Sequence, residues 1–465
     1  MIKGISKIFL FLVFIFTSLD ISAQDGTYGA YSPYSIFGIG DISKQGTAYN
    51  KSMGGVGIAV RNYGEINVQN PAAASIAPQK SFLFDVGFDG THFRNSQLKY
   101  NAEGVAASKP AMTAYSTANI HSIALTFPLA ERVGLSFSIA PYSSVGYKVK
   151  TTDQSEDAWA DIGRVRYGHD GEGDVSQVKL SLGWAPWQKF SIGVAANYYW
   201  GNISRSYEAT ATNVVTGSGV FASTKGVDNY VVSNIKLQVG LQWSPVQTET
   251  TTFTLGATYD FGGNLNPKES NYVYTDNVIN SIQANPVRDR INALELKVPH
   301  QVGVGMFFRN RKMAWGADYL YASWGGDNGY YAENATATTV DVRYSDTHTV
   351  KLGFELTPRS NDVRNYLNRI AYRVGVRLGN YYQTFGGEKI NTMAITAGLG
   401  MPLKIWGIST MNIGFEYGRM SSQKDIMIDA RRVGLVKQNS FKITLGFSLF
   451  SADTADYWFV QQKYD

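Results

Sequence analysis

The chain contains no cysteine. That excludes a disulfide framework, thiolate metal sites, cysteine catalysis and a lipid anchor carried on an N-terminal cysteine. Histidine is scarce too. Its five residues, at 92, 121, 169, 300 and 348, do not fall at metal-ligand spacing. There is no G-x-S-x-G, no P-loop and no H-E-x-x-H, and nothing in the pattern sets a nucleophile beside a base. The expectation is therefore a protein that is not an enzyme and that carries no cofactor and no metal. Charged residues make up only 17% of the chain, and the net charge of +5 is thinly spread. With no dense basic run, nucleic acid is not an expected partner. No internal stretch approaches the ~18 consecutive apolar residues of a spanning helix.

What is present is glycine (47), tyrosine (29) and an aromatic share of 13% in 465 residues. Mean hydropathy is slightly negative. A soluble chain of this length would suggest two or three domains, yet no composition shift divides it after Lys80. A Gly- and Tyr-rich chain of middling hydropathy fits a transmembrane β-barrel, in which half of each strand meets lipid and half meets a polar lumen. The N-terminus reads as a secretory signal over residues 1–23. Lys3 and Lys7 form its charged region, residues 8–16 its apolar core, and Ile21-Ser22-Ala23 its small-residue cleavage site.

From Lys80 onward about fourteen segments alternate with period 2. Ile235, Leu237, Val239, Leu241 and Trp243 oppose Lys236, Gln238, Gly240 and Gln242. In the last segment Phe441, Ile443, Leu445 and Phe447 oppose Lys442, Thr444, Gly446 and Ser448. A soluble sandwich or propeller also alternates, but these segments are long and show no blade repeat. Connections alternate between short, as at 310–311, and long, as expected over 96–113, 151–171, 208–227 and 264–292. Asp170-Gly171, Gly262-Gly263 and Gly386-Gly387 read as turns. Short turns on one side and long loops on the other belong to an outer-membrane barrel. Closure leaves no strand edge exposed to lipid. The fold class expected is all-β: an antiparallel barrel of about fourteen strands over residues 80–450 in the bacterial outer membrane. Both termini would be periplasmic, with lipid bilayer and lipopolysaccharide around the wall.

Residues 24–79 break the pattern. Their Gly/Ala-rich part, 32–75, has no clean period and ends in Asn70-Pro71-Ala72, just before the first strand. It reads as a hatch folded into the lumen, either a moving gate or a fixed plug. A barrel of ~14 strands is too wide for side chains alone to fill. Charged residues in the luminal phase include Asp89, Lys179, Asp318, Lys351, Glu355, Arg373, Arg377 and Glu416. They form either a salt-bridge lattice that grips the hatch or a polar path. Pro141 lies inside the third strand, where it cannot donate to the ladder. Near Gly146, which eases deformation, it marks either a harmless bulge or a gap in the wall. The tail over 451–465 carries Tyr457-Trp458-Phe459, an interfacial patch or a docking peptide for a periplasmic partner.

A signal segment, then Met53-Gly54-Gly55-Val56-Gly57-Ile58-Ala59-Val60, then Asn70-Pro71-Ala72, then about fourteen long strands resembles the FadL/TodX family of outer-membrane transporters. The secretion-associated PorV-type barrels have a related hatch. The transporter resemblance implies passive uptake of hydrophobic compounds, a hatch or gate at Gly54, Gly55, Asn70, Pro71 and Ala72, and lateral release at a kinked third strand, here near Pro141. A hydrophobic ligand or detergent would then sit in the lumen. The PorV-type resemblance implies a non-transporting partner of other envelope proteins in a secretion or assembly complex.

Overall fold

The computed structural model describes residues 29–78, 81–101, 103–152, 164–212, 223–276, 281–283, 296–325, 330–333, 339–403, 409–428 and 431–451. The expected signal at 1–23 and the Tyr457-Trp458-Phe459 tail lie outside the described residues.

Fourteen antiparallel strands form the wall. The first seven are β1 Phe82–Gln97, β2 Ala111–Ala130, β3 Val133–Thr152, β4 Arg164–Trp187, β5 Phe190–Thr212, β6 Ser223–Gln247 and β7 Thr252–Asp260. The rest are β8 His300–Arg309, β9 Met313–Ser323, β10 Thr347–Leu356, β11 Ala371–Phe385, β12 Glu388–Leu403, β13 Ser409–Ser422 and β14 Lys437–Ser451. Each pairs with its neighbour, and β14 returns to β1 from Phe82↔Ser451 to Ser96↔Lys437, which closes the ring. Closure is what lipid demands, because an unpaired backbone group in hydrocarbon costs several kcal/mol.

Alternation sorts the faces. On β6, Ile235, Leu237, Val239, Leu241 and Trp243 are exposed on the outer face, while Gln238 and Gln242 are buried inside. Aromatic pairs sit near the short turns, with Trp187 against Phe190 at 5.8 Å and Phe308 against Trp315 at 5.8 Å. Other pairs sit toward the opposite end, with Tyr259 against Phe261 at 4.8 Å and Tyr417 against Phe441 at 5.0 Å. Two aromatic girdles bounding an apolar band are the outer signature of an outer-membrane barrel.

Three expected loops are partly strand. Asp170-Gly171 is no turn: both residues are in the β3–β4 ladder, opposite Lys148 and Tyr147. Gly171 leaves room for the Tyr147 ring, and Lys148 pairs with Asp170 at 3.4 Å. β4, β5 and β6 therefore continue well past the expected boundaries. β6 outruns the shorter β7, and its free upper half is covered by Lys268–Asp276, which pairs with it from Lys268↔Val231 to Asp276↔Ser223. Residues 366–369 form a short 3-10 helix capped by Asn365. Gly386-Gly387 does form the tight turn between β11 and β12, with φ of +55° and +80°, a conformation that glycine adopts without strain.

Residues 29–78 touch the wall on opposite sides of the ring and therefore lie inside it. They carry three short helical turns: Pro33–Ile36, Ala48–Ser52 and Pro71–Ile76. Near the long-loop end, Tyr34 and Ile39 join a core with Val145, Val175, Trp324 and Tyr382. Trp324 stacks on Tyr382 at 4.3 Å and on Tyr344 at 5.4 Å. Nearer the short turns, Tyr49, Met53, Val56 and Val60 pack on Phe307 and Ala314.

Candidate functional site: the lumen and the β2–β3 fork

The N-terminal segment meets the short-turn half of the wall backbone to backbone. The luminal phase of strand after strand carries a glycine where the segment passes. A Cβ on Gly183 would stand 2.6 Å from the Ser75 N, one on Gly256 2.5 Å from the Ile58 O, and one on Gly353 2.5 Å from the Met53 O. Gly134, Gly193 and Gly375 face the backbone of residues 74, 71–72 and 53–54 in the same way, and Gly446 faces the Ala48 methyl group. The glycines align across ladders, as in Gly134↔Gly183, Gly183↔Gly193, Gly193↔Gly240, Gly316↔Gly353 and Gly353↔Gly375. Interiors at native density leave no slack for an added methyl group against backbone. The sequence carried this signal, since Gly240 and Gly446 fall in the polar phase of their strands, but glycine there reads as a neutral filler.

Each residue of the expected hatch motif has a physical role. Gly54 and Gly55 have φ of +69° and +87°. The Gly54 N–H donates to the Thr396 hydroxyl at 2.8 Å, and its α-carbon lies against Leu352 and Val376 backbone. The Asn70 Oδ1 accepts from the Ala72 N–H at 3.0 Å and so caps the turn that Pro71 begins. The Asn70 amide donates to the Ile58 carbonyl at 2.8 Å and to the Leu241 carbonyl of β6 at 3.0 Å. Asp318 Oδ2 accepts from the N–H groups of Gly57 and Ile58 at 2.7 and 3.1 Å.

The luminal charges form separate clusters rather than one lattice. Glu355 receives Arg373 at 2.7 Å and Arg309 at 3.2 Å. Arg373 also donates to Asn412 at 2.6 Å and lies 4.5 Å over the Tyr49 ring, whose hydroxyl burial pushes well up. Arg377 pairs with Glu416 at 2.6 Å. Lys351 opposes Arg377 across the ladder and does not join Glu355; its ammonium donates to the Gln69 side chain at 3.3 Å. A third cluster centres on Asp89, with Lys51 at 2.7 Å, Lys442 at 3.5 Å, His121 at 3.3 Å and the Thr444 hydroxyl donating at 2.6 Å. His121 in this role was not legible from the chain.

Between the two packed ends lies a cavity of about 500 Å³. Its lining mixes Lys44, Lys179, Asp260 and amides such as Gln177 and Gln238 with Phe93, Tyr142 and Phe261. The lining also includes residues 119–122 of β2 and 140–142 of β3.

Those two stretches flank a fork. The β2–β3 ladder begins at Ala130↔Val133 and ends at Ile123↔Ile139. Beyond that pair, among the described residues, β2 is laddered only to β1. Both strands bulge at the fork. His121 has no opposite number between Gly87↔Ser122 and Phe88↔Ile120, and Tyr142 has none between Pro141↔Ser176 and Ser143↔Val175. Pro141 therefore sits beside a bulge, at the point where a missing donor is tolerated. The β3 edge above it is not left bare. Asp41 and Ile42 pair with Ser144 and Ser143, and the Ser43 N–H donates to the Tyr142 carbonyl at 2.8 Å. Gly146 is a docking point, its carbonyl accepting from the Ser32 N–H at 2.9 Å and its N–H donating to the Ser35 hydroxyl at 3.1 Å. On the other tine, Asn119 donates to the Gly29 carbonyl at 3.0 Å, and Tyr31 stacks on Tyr115 at 4.9 Å. Residues 29–32 thus reach both tines.

A family model described as BamG matches residues 1–465. The chain belongs to the BamG family. No curated protein matches this BamG-family chain. Among solved structures, a FadL homologue of Pseudomonas aeruginosa superposes with a TM-score of 0.60 at 11% identity, covering 88% of this chain and 99% of that one. The toluene transporter TodX of Pseudomonas putida gives 0.50 at 14% identity, with 89% and 99% covered. At these identities the likeness is one of fold, and it bears out the FadL/TodX-like fourteen-stranded barrel expected from the sequence. This BamG-family protein is an outer-membrane-type barrel.

Proposed function

We propose that this barrel carries out passive uptake of hydrophobic small molecules, held in the luminal cavity and released sideways through the β2–β3 fork. The carrying observation is the cavity's lining, which includes both tines of the fork, so the ligand chamber and the break in the wall are continuous. Similarity of fold to a FadL homologue and to a toluene transporter supports the reading. The lysines and amides of the lining favour compounds that carry a polar group on an apolar body. Residues 24–79 act as the hatch in this reading, and Gly54, Gly55, Asn70, Pro71 and Ala72 anchor it. Pro141 and the bulge after it hold the exit. The last strand ends at Ser451 on the side of the short turns, which faces the periplasm in this reading, whereas Gly29, the first described residue, lies at the fork by Ser144 and Asn119.

The chain lacks cysteine, so an engineered pair reports cleanly. A disulfide between Tyr31→Cys and Tyr115→Cys, whose native rings stack at 4.9 Å, staples the hatch across the fork. Oxidised protein in proteoliposomes should lose uptake of a hydrophobic fluorescent probe, and reductant should restore it. Equal uptake in both redox states would contradict lateral release.

One observation favours a second reading, a non-transporting partner barrel in a secretion or assembly complex. The segment's backbone lies against wall glycines on many sides, which suits a permanent plug. This reading expects stable co-purification with other envelope proteins in mild detergent. A clean monomer would count against it.

A further inference from the structure

We propose that the fork edge of β2, at residues 116–120, is a strand-addition site that takes an extended polypeptide segment of a partner. The inference goes beyond transport and rests only on the geometry of the fork. A strand docked there would also close the lateral route.

An open strand edge at membrane depth presents a row of amide donors and carbonyl acceptors that hydrocarbon cannot satisfy. Soluble proteins protect such edges with lysine, proline or inward-pointing charge. Residues 116–120 read Ser-Thr-Ala-Asn-Ile, with no charge and no proline. Ser116, Ala118, Asn119 and Ile120 are exposed, so side chains on both faces of this stretch are accessible, unlike the one-sided exposure of β6. The matching edge of β3 is satisfied by strand pairing already, because the chain's own Asp41 and Ile42 add to it at Ser144 and Ser143. The β2 edge calls for the same kind of ligand, because a second strand alone repeats its spacing of donors and acceptors.

The surroundings fix the chemistry of that partner. A strand added to β2 has one face toward lipid and the other toward the polar cavity. Its sequence must alternate apolar with small or polar residues and avoid charge on the lipid face. Strands of membrane barrels have this pattern, as β14 of this chain does. The occupant is therefore an extended barrel-type strand of another polypeptide, not a helix or an acidic tail. Among the described residues, what it displaces is the Asn119-to-Gly29 hydrogen bond and the Tyr31–Tyr115 stack at the exposed mouth.

The test uses the full chain in nanodiscs and a synthetic peptide copying residues 440–449 as the probe. The photo-crosslinking residue p-benzoylphenylalanine replaces Ala118 at the edge or Ala317 on β9. Ala317 is laddered on both sides, to Met306 and Leu352. Crosslinking at position 118 should exceed that at 317 by at least tenfold. N-methylation of alternate peptide residues, which removes the donors of one edge and keeps the side chains, should abolish the excess. The same readout at Met112, also on β2, guards against a local folding defect at 118. Equal yields at 118 and 317, or yields indifferent to N-methylation, would overturn the proposal. Crosslinking at 118 in a protein whose oxidised Tyr31→Cys/Tyr115→Cys form takes up probe as fast as its reduced form would support strand addition and contradict lateral release.

Discussion

The wall has two kinds of neighbourhood. From β4 round to β14, inter-strand ladders run largely without a break, and the inner face is cut back to glycine where the N-terminal segment lies. Between β2 and β3 the ladder stops after Ile123↔Ile139, and the same N-terminal segment supplies the missing partner for β3 alone. One segment thus does opposite things. Against the glycines it is held by shape, with no room to slide. At the fork residues 29–43 are held by hydrogen bonds to β3 and by the burial of Tyr34 and Ile39 beside Val145 and Val175. The difference teaches where motion is cheap: only the contacts to β2, single bonds worth about 1 kcal/mol each, hold the segment across the fork.

The largest expected effect comes from filling the tight side. Gly183→Val puts its side chain against Ser75 and Pro71 backbone. It should cost about 3 kcal/mol or more, or block assembly outright, as read by urea unfolding or heat-modifiable gel mobility. Gly90→Val, with open space around it, should be near neutral; a similar loss at both sites would break the contrast. Next is Arg373→Ala. It strips Glu355 of its closest partner in a buried site and should cost about 3–5 kcal/mol, with Glu355→Gln added to Arg373→Met recovering most of the loss. Asn70→Ala removes a cap and several carbonyl contacts and should cost about 1–2 kcal/mol. Limited proteolysis of residues 60–78 should quicken with it. The smallest effect belongs to Pro141→Ala, under about 1 kcal/mol. The tines are held apart by the docked segment and the paired bulges, so the fork should persist in amide exchange of β2.

Much of this was legible in the sequence. The fourteen strands follow from period 2, because a wall between lipid and water must alternate, and the hatch motif stood out because it does not. Asn70-Pro71-Ala72 could be noticed but not explained, since its partners, Ile58 and Leu241, are remote in the chain. The charges at 351, 355, 373 and 377 could be assigned to the luminal phase but not to partners: Lys351 turns to Gln69, and Glu355 takes Arg309 as well as Arg373. Which hydrogen bonds a long side chain makes depends on contacts the chain does not spell out. Asp170-Gly171 looked like a turn because glycine is the common turn residue, whereas this glycine makes room for Tyr147. The fork left little local trace. Pro141 marks one tine, but a ladder ends where two distant segments compete for the same edge, and period 2 carries no record of that competition.

The most direct test is amide hydrogen–deuterium exchange of the full chain in lipid nanodiscs, resolved over β2 and β5. If the wall parts above Ile123, the amides over 116–122 that point away from β1 should exchange at least a hundredfold faster than those over 194–200, which are laddered on both sides. Equal protection in the two stretches would mean that β2 and β3 are zipped throughout, and the fork with everything built on it would fall.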